Sequence, residues 1–225
     1  MPDFDIKLQE VISERVSVIF ELERTIFTRR YNLSKIHQEI LSTQSISILY
    51  SIWEGFVQTS FNLFIDELNK FELEVYDFCD EIVIHQMETS FKQLKEYPNR
   101  ASQKIKYLQS LKSFYSLNKH PLTRVINTQS NVGLSVLNKI LFTFSLEPFP
   151  DHWQNYAYPN SNLKDSMDLF LKLRNTVAHG GDLLSAERID HVVFERFKTL
   201  ILDLMYEIRI KMLSGLSNES FKKLT

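Results

Sequence analysis

Up to Arg30, the apolar residues Ile6, Val11, Ile12, Val16, Val18, Ile19, Leu22 and Ile26 recur at steps of three and four. That is the period of an amphipathic helix. Asn32-Leu33-Ser34 interrupts it, and Ser34 is suited to cap the next element through its hydroxyl. From Lys35 to about Lys70 there is no proline and only Gly55, while Ile40, Ile46, Leu49, Trp53, Phe56, Val57, Phe61, Phe64, Ile65 and Leu68 form a wide stripe. The pattern predicts one long central helix, with Trp53 and Phe56 as core residues. A third helix is expected over Glu72–Tyr97, ended by Pro98, and a fourth over Ala101–Leu117. Thr123–Ser130 is β-branched and polar and reads as a loop, followed by a short helix over Leu134–Leu146. A loop containing Trp153, Tyr156 and Tyr158 leads to a helix that Asn160 or Ser161 can cap, running through Leu163 to Val177 and stopped by Gly180-Gly181. Ser185 is expected to open the last helix, Ala186 to about Leu213.

With 5 glycines, 6 prolines and 44% hydrophobic residues in 225, this pattern implies an all-α bundle. We expect a single helical domain over residues 1–225, its core landmarks between about 35 and 213. The lone Cys79 excludes an internal disulfide or a cysteine-based zinc site, and it reads as an apolar filler. No basic start followed by an apolar run opens the chain, and no apolar stretch is long enough to span a bilayer. A cytoplasmic protein without membrane contact is the expectation.

The net charge of -2 gives no global attraction to nucleic acid, so polyanion binding would need a local patch. One exists in the sequence. Between Asp66 and Glu88 acids outnumber bases eight to one, and between Lys92 and Arg124 bases outnumber acids eight to one. Lys104, Lys106 and Lys112 stand among Tyr97, Tyr107, Phe114 and Tyr115, a mixture suited to single-stranded RNA. The competing reading is that the acidic and basic helices pair with each other or are both solvated.

Arg174-Asn175-Thr176-Val177-Ala178-His179 ends a helix in front of two glycines. Arg-to-His spacing of this kind arises about once by accident in a chain of this composition. Indeed Arg30 and His37 also fit, without a polar follower or terminal glycine. Two further stretches add weight, Tyr50-Ser51-Ile52-Trp53-Glu54-Gly55-Phe56 on the long helix and Thr128-Gln129-Ser130-Asn131 before an apolar helix. The segment Leu173–Gly181 resembles the signature of HEPN domains, and the other two resemble landmarks of the MAE-type branch of that superfamily, in the same order.

The resemblance implies a HEPN-like helical bundle and a metal-independent endoribonuclease of toxin or antiviral-defence type, acting as a homodimer on RNA. It needs no cofactor and no metal, and an antitoxin or defence-complex partner would restrain it. The implied catalytic residues are Arg174, His179 and Asn175, with Glu54 orienting its neighbours. The chemistry suits these groups. RNA carries its own nucleophile in the 2′-hydroxyl, so cleavage needs a proton shuttle and positive charge on the phosphate. An arginine fork supplies that charge. On an ideal helix five residues turn through about 500°, leaving the two side chains roughly 140° apart, so a twofold axis pairing two such helices would complete the site.

Each residue has a plainer alternative. Arg174 would be a salt-bridge partner of Glu54, and His179 a helix cap favoured by the macrodipole. The remaining His85, His120, His152 and His191 have no metal-ligand spacing. The alternative for the whole chain is a non-catalytic helical interaction or nucleotide-sensing module.

Overall fold

Helix α1 (Pro2–Phe27) opens with a proline, where a missing N–H costs nothing, and with Asp3 and Asp5 in the turn where the helix dipole favours acids. The computed structural model that shows it describes residues 2–94, 96–116, 121–153, 162–178 and 189–223. Phe4, Leu8, Ile12, Ile19 and Ile26 are buried along one face of α1, whereas Ile6 and Val18, also drawn into the predicted stripe, face solvent. Ser34 caps α2 (Lys35–Asn69), its hydroxyl accepting the His37 N–H at 3.4 Å. Trp53, Phe56, Phe61 and Phe64 of α2 are fully buried, while Ile40 is exposed.

The predicted third helix is shorter than its pattern. Only α3 (Asp80–Ser90) is α-helical, flanked by single 3₁₀ turns at Val75–Asp77 and Lys92–Leu94. The cause is long-range: extended Cys79 donates its N–H to the Phe221 carbonyl at 3.0 Å, and Asp77 accepts from Lys223 N at 2.8 Å. The C-terminal segment thus straps the chain just before α3 and holds it out of helix. Phe91, extended at φ -125 and ψ 91, ends α3.

The remaining helices are α4 (Ala101–Ser116), α5 (Leu134–Thr143), α6 (Leu163–Ala178) and α7 (His191–Ser217). Helix α5 stops three residues before the predicted Leu146. Ser145 is left-handed (φ 54) and the Leu146 N–H reaches back to the Leu141 carbonyl at 2.9 Å, closing the helix in a Schellman arrangement. Helix α7 is capped by Asp190, whose carboxylate accepts from Val193 N at 2.9 Å, so Ser185 is not its cap. It runs on to Ser217 because Leu216 is buried and Gly215 sits against Leu146. The predicted loop at Tyr156 and Tyr158 and the paired glycines lie outside the described residues.

Helices α1, α2, α6 and α7 pack together around one large apolar core that α5 also enters. A second, small core joins Val75, Phe91 and Phe114, with Tyr107 and Leu111 of α4 against it. Among the described residues there is no β-strand, only isolated bridges at Phe78–Lys222 and His152–Asn162. None of their helices is long and apolar enough to cross a membrane.

Candidate active site

The last turn of α6 carries Arg174 and Asn175 half-buried, between buried Leu173 and Val177 and exposed Lys172 and Thr176. Its Leu163, Met167, Phe170 and Leu171 fall on the core side at helical spacing, which sends Arg174 towards α2. There the guanidinium carbon lies 4.2 Å from the centroid of the Tyr50 ring. Such a partly desolvated cation–π contact contributes on the order of 1–2 kcal/mol. Nη1 donates to Asn175 Oδ1 at 2.7 Å, and Nη2 donates to the Ser130 carbonyl at 3.2 Å.

Ser130 belongs to a strap, residues 128–133, clamped between α2 and α6. The Thr128 hydroxyl donates to Glu54 Oε1 at 2.7 Å and accepts from Gln58 Nε2 at 3.3 Å. The Tyr50 hydroxyl accepts from Val132 N at 2.8 Å, and the Trp53 indole donates to the Val132 carbonyl at 2.9 Å. Gln129 and Ser130 are both left-handed, with φ 52 at each, an arrangement that consecutive non-glycine residues hold only under outside restraint. At Gly133 a Cβ would lie 2.7 Å from Leu171 Cδ1, so strap and α6 approach closely there and a larger residue would have to displace the Leu171 side-chain end.

The three sequence landmarks therefore meet in one cluster, bridging separations of 44 to 82 residues. The structure brings Arg174, Asn175 and Glu54 into it. Arg174 takes Ser130, Asn175 and Tyr50 as its partners and Glu54 takes Thr128, so the alternative Arg174–Glu54 salt bridge does not form. His179 lies outside the described residues, directly after the end of α6. Burial raises the Tyr50 phenol above its ordinary pKa against the Val132 N–H, which lowers it; Glu54 adds to the rise and Arg174 opposes it. The ring under Arg174 thus stays a neutral phenol.

Lys104, Lys106 and Lys112 stand exposed on α4, on the second core and apart from the Arg174 cluster. Lys104 Nζ lies 5.2 Å from the centroid of the Tyr97 ring. Of the proposed pairing between acidic and basic stretches, the described residues include Arg124 donating to both carboxylate oxygens of Asp66. Glu67 and Asp80 pair with Lys70 and Lys223, and among the described residues no carboxylate pairs with Lys104, Lys106 or Lys112.

A second polar cluster was invisible in the sequence. Glu23 of α1 meets His191 and Glu195 of α7, their ligand atoms within 4.8 Å of one another. Three such groups suit a metal ion, but the nearly buried Lys198 ammonium lies 2.7 Å from Glu23 and 2.5 Å from Glu195, filling the place of a cation. Burial pushes the Glu23 carboxyl up, but hydrogen bonds from His191 and Lys198 outweigh it and hold the pKa below the usual range. Lys198 is lowered by burial and raised more by both carboxylates. The group ties α1 to α7 by ion pairs. Cys79 is half-buried, its Sγ 2.6 Å from Ser145 Oγ, and burial raises its thiol pKa.

Tyr50, Thr128 and Ser130 complete the Arg174 cluster without having stood out as site residues. Tyr50 had a signal, four residues before Glu54 and so on the same face of α2. The Ser130 contribution is a backbone carbonyl, which no side-chain motif encodes.

The model of the family described as RiboL-PSP-HEPN matches residues 12–214, a span that contains all three landmark segments. Neither the curated proteins nor the solved structures contain a match to the chain.

Proposed function

The chain belongs to the RiboL-PSP-HEPN family, and from that premise we propose that it is a metal-independent endoribonuclease cutting RNA by attack of the 2′-hydroxyl. The observation that carries this reading is the fixed Arg174 guanidinium beside the helix end that leads into His179. Two of its five N–H donors serve Asn175 and Ser130, which sets its plane and leaves donors for a phosphate.

In the proposed reaction the 2′-oxygen attacks phosphorus and the 5′-oxygen leaves, giving a 2′,3′-cyclic phosphate and a 5′-hydroxyl. His179 accepts the 2′-hydroxyl proton, and the proton returns to the leaving oxygen from the pair of histidines in a homodimer. Arg174 holds the non-bridging oxygens as charge builds on them. Asn175 and the Glu54–Thr128 link are positioning groups that keep Arg174 and the strap in register. The α4 lysines supply a landing surface for the RNA strand, and a toxin or defence role, with a restraining partner, fits a cytoplasmic enzyme that cuts its host's RNA.

The test is incubation of the pure chain with tRNA and mRNA, with and without EDTA, beside Arg174→Ala and His179→Ala. Each variant should lose cleavage by at least about a hundredfold while EDTA changes nothing. Cleavage that survives both substitutions, or that vanishes with EDTA, sinks the proposal. One observation favours a second reading, a non-catalytic interaction or nucleotide-sensing module: the contacts of Arg174 with Tyr50, Asn175 and Ser130 give it a structural task. That reading predicts no cleavage of any RNA, and a stability loss in Arg174→Ala.

A further inference from the structure

On its other flank the strap borders a groove of about 860 Å³ between α3, the segment 125–129 and α5. This size is within the range of small-molecule sites. Ile126, Ile140 and Phe144 give it an apolar floor. Asn127 and Gln129 present carboxamides to it, both exposed. Asn127 Oδ1 accepts from the Gln129 N–H at 3.0 Å, and the Gln129 side chain has no hydrogen-bond partner among the described residues. Lys92 and Lys139 line the groove without carboxylate partners among the described residues, and Glu88 and Glu96 line it as acceptors. The ring of His85 stands edge-on to Phe144, its Nε2 buried with no hydrogen-bond partner.

We infer that this groove is a nucleotide subsite, taking the base of a single-stranded RNA residue next to the cleaved bond and preferring a base with an exocyclic amine, such as adenine or cytosine, over uracil. The inference rests on the RNA-cleaving reading above for its substrate class. Carboxamides paired with an amino-bearing base edge are the usual hydrogen-bond match. The apolar floor receives the ring face, lysines receive flanking phosphates, and carboxylates accept from the two N–H bonds of an exocyclic amine, where uracil offers only its single N3–H. The position follows from covalent geometry. Gln129 lines the groove and is bonded to Ser130, whose carbonyl holds Arg174, and consecutive Cα atoms are about 3.8 Å apart. The left-handed pair Gln129-Ser130 turns one residue to the groove and the next to the guanidinium.

The experiment measures binding of the full chain to short 2′-O-methyl oligo-A, oligo-C and oligo-U, which lack the attacking hydroxyl, by fluorescence anisotropy. Wild type should hold oligo-A or oligo-C about tenfold tighter than oligo-U, and Asn127→Ala with Gln129→Ala should narrow this to about twofold. Lys139→Glu, at an exposed position that leaves the fold intact, should weaken all three several-fold and shallow the salt dependence. No preference in wild type, no binding, or a preference untouched by these variants overturns the subsite. Cleavage of natural RNA, assayed in parallel with Arg174→Ala, separates the two proposals. A chain that binds with the preference and never cuts keeps the subsite without the nuclease. A chain that cuts, with preference unmoved by the variants, keeps the nuclease without the subsite.

Discussion

Around Trp53, Phe61 and Phe197 the core is sealed completely, and side-chain hydrogen bonds reach across it to a strap 70 to 82 residues away in sequence. Around Phe91 and Phe114 the buried side chains among the described residues are Val75, Phe91 and Phe114, and α4 turns most of its length to solvent. The first region has the means to hold a guanidinium and a backbone carbonyl in one geometry, as transition-state stabilisation demands. The second offers exposed lysines and tyrosines on a lightly anchored helix, which suits capture of a flexible strand and tolerates small shifts. Under the proposed function, the deeply buried region would carry the chemistry and the lightly buried one the binding.

The strongest way to break this contrast is to truncate one buried aromatic in each region. Trp53→Ala should cost about 3–5 kcal/mol and also orphan the Val132 carbonyl, which its indole now satisfies. Phe114→Ala should cost about 2 kcal/mol, less than a fully enclosed aromatic. Urea denaturation with hydrogen exchange checks both. Protection of α2 amides should survive Phe114→Ala, and a single shared transition in both variants would erase the distinction.

A smaller effect sharpens the view of the main core as electrostatically latched. Glu23→Ala should destabilise by about 2 kcal/mol, because it leaves nearly buried Lys198 with Glu195 as its remaining acidic partner. The pH dependence has a definite sign. The Glu23 pKa is lowered in the fold, so its contribution is present above the ordinary glutamate value and is lost as pH falls through the lowered one. That of Lys198 is raised, so its contribution is full below the ordinary lysine value and is lost as pH rises through the raised one. Thermal melts of wild type and Glu23→Ala should therefore converge at acid pH and differ most in between.

The least effect on stability belongs to α4. Replacing Lys104, Lys106 and Lys112 together by alanine should move stability by less than about 0.5 kcal/mol, as for exposed sites generally. RNA binding should weaken, with a salt-dependence slope lowered by up to about two to three. An unchanged slope would show that these lysines are ordinary solvated surface.

Sequence alone determined the helical class and most helix positions, because those rest on local causes: the 3.6-residue stripe, the Ser34 hydroxyl in front of α2, the clustering of apolar residues in α6. It also marked Arg174, Asn175 and Glu54 through motif order, although nothing local said that Glu54 reaches Thr128 while Arg174 reaches Ser130. Tertiary structure alone decided the rest. The break between Glu72 and α3 comes from the C-terminal strap at Phe221, and the left-handed pair at Gln129-Ser130 is held by α2 and α6. The ion cluster at Lys198 unites α1 with α7 across a separation of 175 residues. In each case the deciding partner is distant in the chain or is a backbone atom. A side-chain pattern can encode which face is buried, and only packing selects what that face meets.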